Sequence, residues 1–359
     1  MGTDMRTEFD AELYKRTIHA LFTQKQGEMM AAVIHIGQRL GLFAALVEHG
    51  PCTSEQLAEA TDLHERWVRE WLAAIGSADF AEHHDGVFAL TPEATAALVT
   101  PDFPGSLVGV FGPPITHREI DRTIEAFSTG IGMTWDEHGA DTCHFQAAMG
   151  AAGQRAFLVP VMLGSIDEMT DRLTAGITVV DIGCGVGVAA TVLAETYPNS
   201  TIIGIDPSSL AITEANKRAQ QAGLSNLEFR EGMFDDLDGL EDVGLLLTLD
   251  VIHDLARPGA AVRSAASCLA DDGVWIVADI RTKGGLEDNR RMPMLPLFYG
   301  MSILYCMSSA MSEPGGAGLG TLGLTKEVFG ELTAAAGLRV VETYEHEVDM
   351  TNRYYEVRK

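Results

Sequence analysis

The sequence predicts an α/β protein whose C-terminal half forms a doubly wound, mostly parallel β-sheet and whose N-terminal part is rich in helices. Two observations support this prediction. From about residue 177, runs of β-branched and other apolar residues alternate with helical segments, which is the pattern of strands joined by crossover helices. Before residue 105, helical spacing of apolar residues ends in two short extended pieces. A chain of 359 residues is long enough for two such domains.

The parallel part of the sheet is predicted from five extended runs, at 177–181, 201–206, 227–230, 243–250 and 273–280. Two later runs, 338–347 and 353–358, are separated by a short turn and predict an antiparallel hairpin at the sheet edge. Such a Rossmann-like sheet binds ligands at the carboxyl ends of its strands. The residues that follow each strand are therefore the candidates for chemistry.

The N-terminal residues predict a winged-helix domain. Residues 11–48 have helical character, a capped helix begins at Thr53 or Ser54, and a third helix covers about 64–75. Two short strands follow at 80–83 and 87–90, with a turn at Asp85 and Gly86. Trp67 and Trp71 lie four residues apart on the third helix, a spacing that predicts core or dimer packing. We predict the winged-helix domain at 1–105, a helical connector that covers the active site at 106–170, and the sheet domain at 171–359.

Composition restricts the classes of partner. The formal net charge is −26 and the sequence pI is about 4.6, so nucleic acid is not an expected partner, because phosphate backbones are repelled. Five cysteines are scattered without metal-ligand spacing, which predicts no metal site and a reduced compartment. The first ten residues contain no apolar signal region, and we expect a cytoplasmic protein with no membrane partner.

Residues 179–187 read VVDIGCGVG and predict a strand that enters a glycine-rich turn before a helix. Glycines 183, 185 and 187 allow the backbone to approach a ligand closely. The next strand ends at Asp206, the spacing at which a carboxylate binds ribose hydroxyls. Glycine turns of this kind also bind NAD and FAD, but Asp181 beside the turn suits a ligand with a cationic amino group better than a pyrophosphate.

This stretch resembles the first motif of the class I S-adenosylmethionine (SAM) methyltransferases. The resemblance implies SAM as cofactor and S-adenosylhomocysteine as product, with the glycine turn beside the amino-acid part and Asp206 at the ribose. An acid that contacts adenine in related enzymes is replaced here by Gly232, so the backbone or side chains of the following residues would hold adenine. The implied cofactor-binding residues are Asp181, Gly183, Cys184, Gly185, Gly187, Asp206, Pro207, Gly232, Met233, Phe234, Leu249 and Asp250.

After the fourth strand, His253 and Asp254 resemble the HisAsp motif of plant-type small-molecule O-methyltransferases, in which the histidine is the general base. Asp279, at the end of the fifth strand, matches the acid that orients this base in those enzymes. A further acid found there is missing from the glycine-rich run at 315–324. The alternative for His253 is a structural histidine that contacts cofactor or backbone.

Candidate acceptor-binding residues come from two regions. Trp135 and His138, with His144 nearby, follow a glycine-broken stretch in the connector. The methionine-rich and aromatic run at 292–311 is typical of surfaces that adapt to apolar ligands, although core or dimer packing explains it equally well. It contributes Phe298, Tyr299, Met301 and Tyr305.

Nearly the whole chain resembles bacterial SAM-dependent methyltransferases with an N-terminal winged helix, which implies a homodimer. Tyr305 departs from the HisCysMet sequence common in those relatives. We predict methyl transfer to a small, partly apolar acceptor at oxygen or nitrogen, with His253 as base. Two alternatives remain open at the level of sequence: a methyltransferase-fold enzyme that uses SAM for other chemistry, and a winged-helix transcriptional regulator.

Overall fold

The computed structural model describes residues 8–112, 115–237, 239–347, 349 and 351–359. Most of the first ten residues, where the sequence predicts no signal region, therefore lie outside the described residues. The chain divides into two compact units, Met1–Pro114 and Ile115–Lys359. The segment expected to form a separate connector at 106–170 is divided between them, and most of it belongs to the second unit.

The first unit contains the winged-helix arrangement expected from the sequence. A left-handed backbone at Gly41 (φ 69°) separates the first two helices, which the sequence treats as one helical region. A capping box of Thr53 and Gln56 begins the third helix at Ser54. In the described part of this unit the elements are α1 (Ala11–Arg39), α2 (Leu42–His49), α3 (Ser54–Thr61), α4 (Glu65–Ser77), β1 (Ala81–His84), β2 (Val87–Leu90) and α5 (Pro92–Leu98).

The two tryptophans of α4 have different environments. Trp71 is buried, meets the Phe43 ring edge-on at 4.9 Å between centroids, and donates its indole N–H to the Val33 carbonyl at 3.1 Å. Trp67 is 78% exposed. Helical spacing alone placed them on one face, but residues four apart are offset around the helix, and only Trp71 reaches the core.

The second unit contains a seven-stranded sheet, counted over the described residues, in the order β5-β4-β3-β6-β7-β9-β8. Strands β3 to β7 pair in parallel, and β8 and β9 form the antiparallel edge. This confirms the predicted doubly wound sheet with its edge hairpin. The strands are β3 (Thr178–Ile182), β4 (Thr201–Asp206), β5 (Leu227–Glu231), β6 (Val243–Leu249), β7 (Leu269–Ile280), β8 (Arg339–Tyr344) and β9 (Asn352–Arg358).

Helices cover both faces of this sheet. Adjacent strand residues alternate between two buried clusters, as Val179 and Val180 do, which explains why the strands are continuously apolar. The α-helices assigned to the described part of this unit are α6 (His117–Thr129), α7 (Trp135–His138), α8 (Ala140–Phe157), α9 (Met169–Ala175), α10 (Val188–Thr196), α11 (Ser209–Ala222), α12 (Pro258–Cys268), α13 (Leu286–Asn289), α14 (Leu295–Met301), α15 (Met307–Ala310) and α16 (Lys326–Ala335).

Strand order reverses between β3 and β6, and ligands bind outside the carboxyl ends of the strands at such a switch point. The turns after β3, β4, β6 and β7 therefore meet at one edge of the sheet. No single helix of the described chain is long and apolar enough to cross a bilayer. The pair α1 and α2, bent by 64°, passes the same test only when the two are taken together.

Gly187 should be required for the fold as well as for the turn. Its φ is 76°, and a Cβ there would lie 2.3 Å from Cζ of Phe229. Gly187→Ala should lower the free energy of unfolding by roughly 2–5 kcal/mol, through left-handed strain and overpacking. Gly223→Ala is the matched control, because its φ is 66° and no described atom lies within 4 Å of the added Cβ. It should cost about 1–2 kcal/mol in urea unfolding. Equal losses would contradict the role of Phe229.

Candidate functional site

The candidate site lies where the turn after β3 meets the end of β6. A Cβ on Gly183 would come within 2.4 Å of Cγ2 of Val251, so only glycine allows these two segments to touch. This contact places the glycine turn beside the short 3-10 turn Ile252–Asp254 that carries His253. The predicted cofactor and catalytic residues are thereby brought to one edge of the sheet.

The glycine turn uses its own N–H groups within the protein. The N–H groups of Gly183 and Cys184 both donate to the Ile205 carbonyl, at 2.7 and 3.1 Å, and that of Gly187 donates to the Cys184 carbonyl at 2.9 Å. Gly185 has a φ of 53°, and a Cβ there would meet no described atom within 4 Å. The turn therefore offers close approach at Gly185 rather than a set of free donors.

Asp206 fixes this turn. Its two carboxylate oxygens accept the Gly185 N–H at 2.8 Å and the Ser208 N–H at 2.9 Å, and Pro207 between them is exposed. Burial raises the pKa of Asp206, and the two N–H donors oppose that shift. The link to Gly185 was not foreseen from the sequence, where Asp206 was expected only to contact a ribose.

Asp181 is 1% exposed, and its Oδ2 has no hydrogen-bond partner among the described residues. Burial, followed by the charge of Asp206, raises the pKa of Asp181 to about 7, against the effect of the Ala190 N–H. A buried carboxylate oxygen that lacks a partner beside a second carboxylate favours a cation. The ammonium group of an amino-acid ligand fits this requirement.

The backbone N–H groups of the residues after β5 already make hydrogen bonds within the protein. The Gly232 N–H donates to the Asp206 carbonyl at 3.0 Å, and the Met233 N–H donates to Oδ2 of Asp236 at 2.7 Å. The Met233 side chain is 58% exposed, whereas Phe234 is 5% exposed and belongs to the core under the sheet. Of the residues expected to hold adenine, the Met233 side chain is the one that faces outward.

His253 lies between two carboxylates. Its Nδ1 is 2.7 Å from Oδ1 of Asp279, and its Nε2 is 3.2 Å from Oδ1 of Asp254 without the geometry of a hydrogen bond. Burial would lower the pKa of His253, but Asp279, then Asp254, raise it well above its usual range. The sequence placed His253 and Asp279 at neighbouring strand ends, and the structure joins them directly.

Leu249 ends β6, and Asp250 follows with a left-handed φ of 59°. Asp250 is exposed to solvent. Partial loss of water around its carboxylate, followed by the charge of Asp279, raises the pKa of Asp250. Backbone strain at a non-glycine residue is typical of functional sites, and here it falls directly after the carboxyl end of β6.

Three of the predicted acceptor-binding residues form an aromatic cluster. The rings of Trp135 and Tyr305 are nearly parallel with centroids 6.5 Å apart, and His138 meets Tyr305 at 5.3 Å. Phe145 also contacts Tyr305, with centroids 6.1 Å apart. Burial lowers the pKa of His138, and Glu119, whose Oε1 is 3.5 Å away, opposes that shift. Sequence reasoning missed Phe145 and Glu119, which carry no motif.

The remaining candidates lie elsewhere. Phe298 packs with Ile280, Leu295 and Leu322, and Tyr299 lies against that group. Met301, at the end of α14, is half-buried. His144 is exposed and lines a groove between α8 and α11. Phe298, Tyr299, Met301 and His144 looked equivalent to Trp135, His138 and Tyr305 in the sequence, but they are not part of the aromatic cluster formed by the described residues.

Comparisons with known proteins match two parts of the chain to known families. The family described as a methyltransferase domain matches residues 173–308, and the Rv2258c-like winged HTH domain matches residues 28–100. Residues 173–308 therefore form a methyltransferase domain, and residues 28–100 form a winged helix-turn-helix domain.

Individual relatives are more distant. A ubiquinone biosynthesis O-methyltransferase of Azorhizobium caulinodans is 30% identical over 115 residues, which is 32% of this chain and 44% of that protein. Human N-acetylserotonin methyltransferase, solved with SAM, has a TM-score of 0.67 at 17% identity over 99% of each chain. The N,N-8-amino-8-demethyl-D-riboflavin dimethyltransferase RosA of Streptomyces davawensis has a TM-score of 0.59 at 21% identity, over 95% of this chain and 98% of that one. The match to the curated relative spans less than half of its length, and the structures share the fold.

Asp181 should destabilise the ligand-free protein above neutral pH. Because its folded pKa is raised to about 7, the unfolded chain ionises first, and stability is lost as pH rises from about 4 to 7. Asp181→Asn removes this loss and should gain about 1–4 kcal/mol relative to wild type between pH 4.5 and 8. Urea unfolding at both pH values measures the difference. The exposed Asp271→Asn should show no such gain, and a pH-independent effect of Asp181→Asn would contradict the assignment.

Proposed function

We propose that this protein transfers the methyl group of SAM to a small, partly apolar acceptor at oxygen or nitrogen. The observation that carries the proposal is the contact between His253 and Asp279 at 2.7 Å, next to a glycine turn fixed by Asp206. The SAM sulfonium is already a good leaving group, so catalysis consists mainly of alignment and removal of the acceptor proton. SAM supplies the methyl group, and the residues of the chain hold the two reactants.

Each residue has a role that its surroundings support. Asp181 binds the ammonium group, since its Oδ2 is buried without a partner in the described chain. Gly183, Cys184, Gly185 and Gly187 form the turn that admits the amino-acid part, and Asp206 with Pro207 lies at the ribose. Leu249, Asp250 and the exposed Met233 side chain complete the cofactor cleft. Gly232 holds it through its hydrogen bond to the Asp206 carbonyl, and Phe234 packs in the core beneath it. Calorimetry should detect binding of S-adenosylhomocysteine and none of NAD.

The acceptor lies against the aromatic cluster. Trp135, His138 and Tyr305 present apolar ring surface together with polar edges, which suits a small ring bearing a hydroxyl or amine. The relatives named above include both an O-methyltransferase and an N,N-dimethyltransferase, so both kinds of acceptor belong in the test. Phe298 and Tyr299 pack in a separate group with Ile280, Leu295 and Leu322, so their contact with the acceptor, like that of Met301, stays a sequence-based prediction.

His253 is the general base. Asp279 accepts the Nδ1 proton, which leaves Nε2 to remove a proton from the acceptor. Because carboxylates raise the pKa of His253 above its usual range, the imidazole is protonated in the ligand-free protein. The positive sulfonium of SAM would lower this pKa by repulsion and release the base once the cofactor is bound.

Turnover should therefore follow the protonation of His253. His253→Ala should lower the rate about 10²–10⁴-fold while S-adenosylhomocysteine binding is nearly unchanged. The wild-type rate should rise with pH, with a midpoint above the ordinary value of about 6.5. Asp279→Asn should lower both the rate and this midpoint, because it removes the charge that favours imidazolium. S-adenosylhomocysteine release from a panel of phenols and anilines measures these effects.

The exposed His144→Ala is the matched histidine control and should retain the wild-type pH profile. Full activity of His253→Ala would reject the base assignment and leave the cofactor assignment intact. A pH midpoint that Asp279→Asn leaves in place would show that Asp279 acts only in folding.

We also propose a cytoplasmic homodimer formed through α1. This 29-residue helix exposes large apolar side chains along its length, including Leu21 at 61% and Phe22 at 70%, and such surface is normally covered by a partner. A nucleic-acid role is not proposed, because Arg66 and Arg69 on α4 pair with Glu70 and Glu65, which removes the positive face that DNA needs.

Leu21→Glu with Phe22→Glu should shift the full chain from dimer to monomer in light scattering, because charges would be buried in the interface. Trp67→Glu is the matched control, since Trp67 is equally exposed but lies on α4. It should leave the dimer intact. Dissociation by Trp67→Glu alone would move the interface to the winged helix.

A further inference from the structure

Nε2 of His253, the nitrogen proposed as the base, also lies next to two side chains that bind metals. Ligand atoms of His253, Asp254 and Cys306 all lie within 4.8 Å of one another, and all three residues are buried. We propose that His253 Nε2, Asp254 Oδ1 and Cys306 Sγ form a binding site for zinc or a similar thiophilic divalent cation. Residues 253 and 254 are adjacent but 306 is remote, so the spacing in the sequence predicted no metal site.

The hydrogen bonding of His253 is that of a metal ligand. Nδ1 lies 2.7 Å from Oδ1 of Asp279, an oxygen that also accepts the Ile280 N–H at 2.8 Å. Metal binding would displace the Nε2 proton of the imidazolium, and the proton kept on Nδ1 leaves the Nε2 lone pair facing Asp254 and Cys306. Histidines that bind metals commonly donate their other ring N–H to a carboxylate in this way, which fixes the tautomer and the ring orientation.

The spacing of the donor atoms also fits. Nε2 and Asp254 Oδ1 are 3.2 Å apart, close to the separation of about 3.3 Å that two ligands at 2.0–2.1 Å have in a tetrahedral zinc site. Asp254 is 8% exposed, yet its Oδ1 has no hydrogen-bond partner among the described residues. Three protein ligands leave a fourth position open, as in zinc sites that also bind a small molecule.

Cys306 reaches this position through an irregular turn. It ends the π-helical turn Ser302–Cys306, between α14 and α15, and is 3% exposed. Single π-helical turns often occur at functional sites because they redirect one side chain. A thiolate beside an imidazole selects zinc over magnesium or calcium, which prefer oxygen ligands.

The effect of the metal on activity rests on the proposed function, in which Nε2 of His253 is the general base. Nε2 cannot hold a metal and accept a proton at the same time, so the metal-loaded protein lacks its general base. Asp279, whose Oδ1 is 2.7 Å from Nδ1 of the same ring, adds a buried carboxylate that favours a cation on Nε2. Zinc would therefore act as a reversible inhibitor of the same site.

Cobalt(II) is the spectroscopic probe for this site. The full chain, stripped of metal and kept in excess magnesium to occupy exposed carboxylates, should bind one cobalt ion. The spectrum should show a thiolate-to-cobalt charge-transfer band and the intense visible bands of tetrahedral cobalt. Zinc should displace the cobalt and abolish both features.

Variants identify the ligands. Cys306→Ser should remove the charge-transfer band and weaken zinc by more than the roughly 10–100-fold expected for Asp279→Asn, which only supports a ligand. Cys268→Ser is the matched control, because Cys268 is also buried and its thiol donates to the Ala265 carbonyl of its own helix. It should bind both metals as wild type does. Circular dichroism confirms that each variant is folded.

A cobalt spectrum without the charge-transfer band, or unchanged zinc affinity in Cys306→Ser, would overturn the proposal. Calorimetry with S-adenosylhomocysteine on the same samples separates the two hypotheses. Cofactor binding without metal binding rejects the metal site alone. Metal binding by a protein that does not bind the cofactor rejects the proposed function and leaves the metal site standing.

Discussion

The concentration of carboxylates at one edge of the sheet is the constraint on which the site depends. Asp181, Asp206, Asp250 and Asp279 stand at or beside the ends of four strands, and desolvation raises the pKa values of the first three. Asp181, Asp206 and Asp279 are buried, and like charges held together away from water cost free energy in the ligand-free protein. That cost is recovered when a cation arrives, so the same residues that weaken the fold favour a ligand with an ammonium and a sulfonium group.

A fold that holds such a site must be rigid elsewhere. The strands between the two helical layers are buried on both faces, and the close-packed core leaves the strand ends little freedom. Phe229 fills the space that a side chain at position 187 would need. Packing of Phe229 against Gly187 and the hydrogen bond from Gly185 to Asp206 therefore fix the glycine turn, while the space beside Gly185 stays free for a ligand.

The same demand for positive charge unites the proposals about His253. The carboxylates around His253 favour a proton on the imidazole, a sulfonium nearby, or a divalent metal on Nε2. These three cations compete because each is stabilised by the same negative charges. In the proposed mechanism SAM releases the base, whereas a thiophilic metal would capture it. The position of Cys306 beside His253 decides whether the second outcome is available.

The sequence by itself determined the sheet, the glycine turn and the acids at the strand ends, because these follow from local rules. A strand needs a run of apolar residues, a left-handed turn needs glycine, and residues after parallel strands meet at one edge. The tertiary structure decided which residues touch. It buried Trp71 and exposed Trp67, tied Asp206 to Gly185 and Asp236 to Met233, and grouped Tyr305 with Trp135 instead of Phe298. It also brought Cys306 to His253 across 52 intervening residues. These outcomes depend on packing between segments that are distant in the chain, and no local pattern in the sequence records that packing.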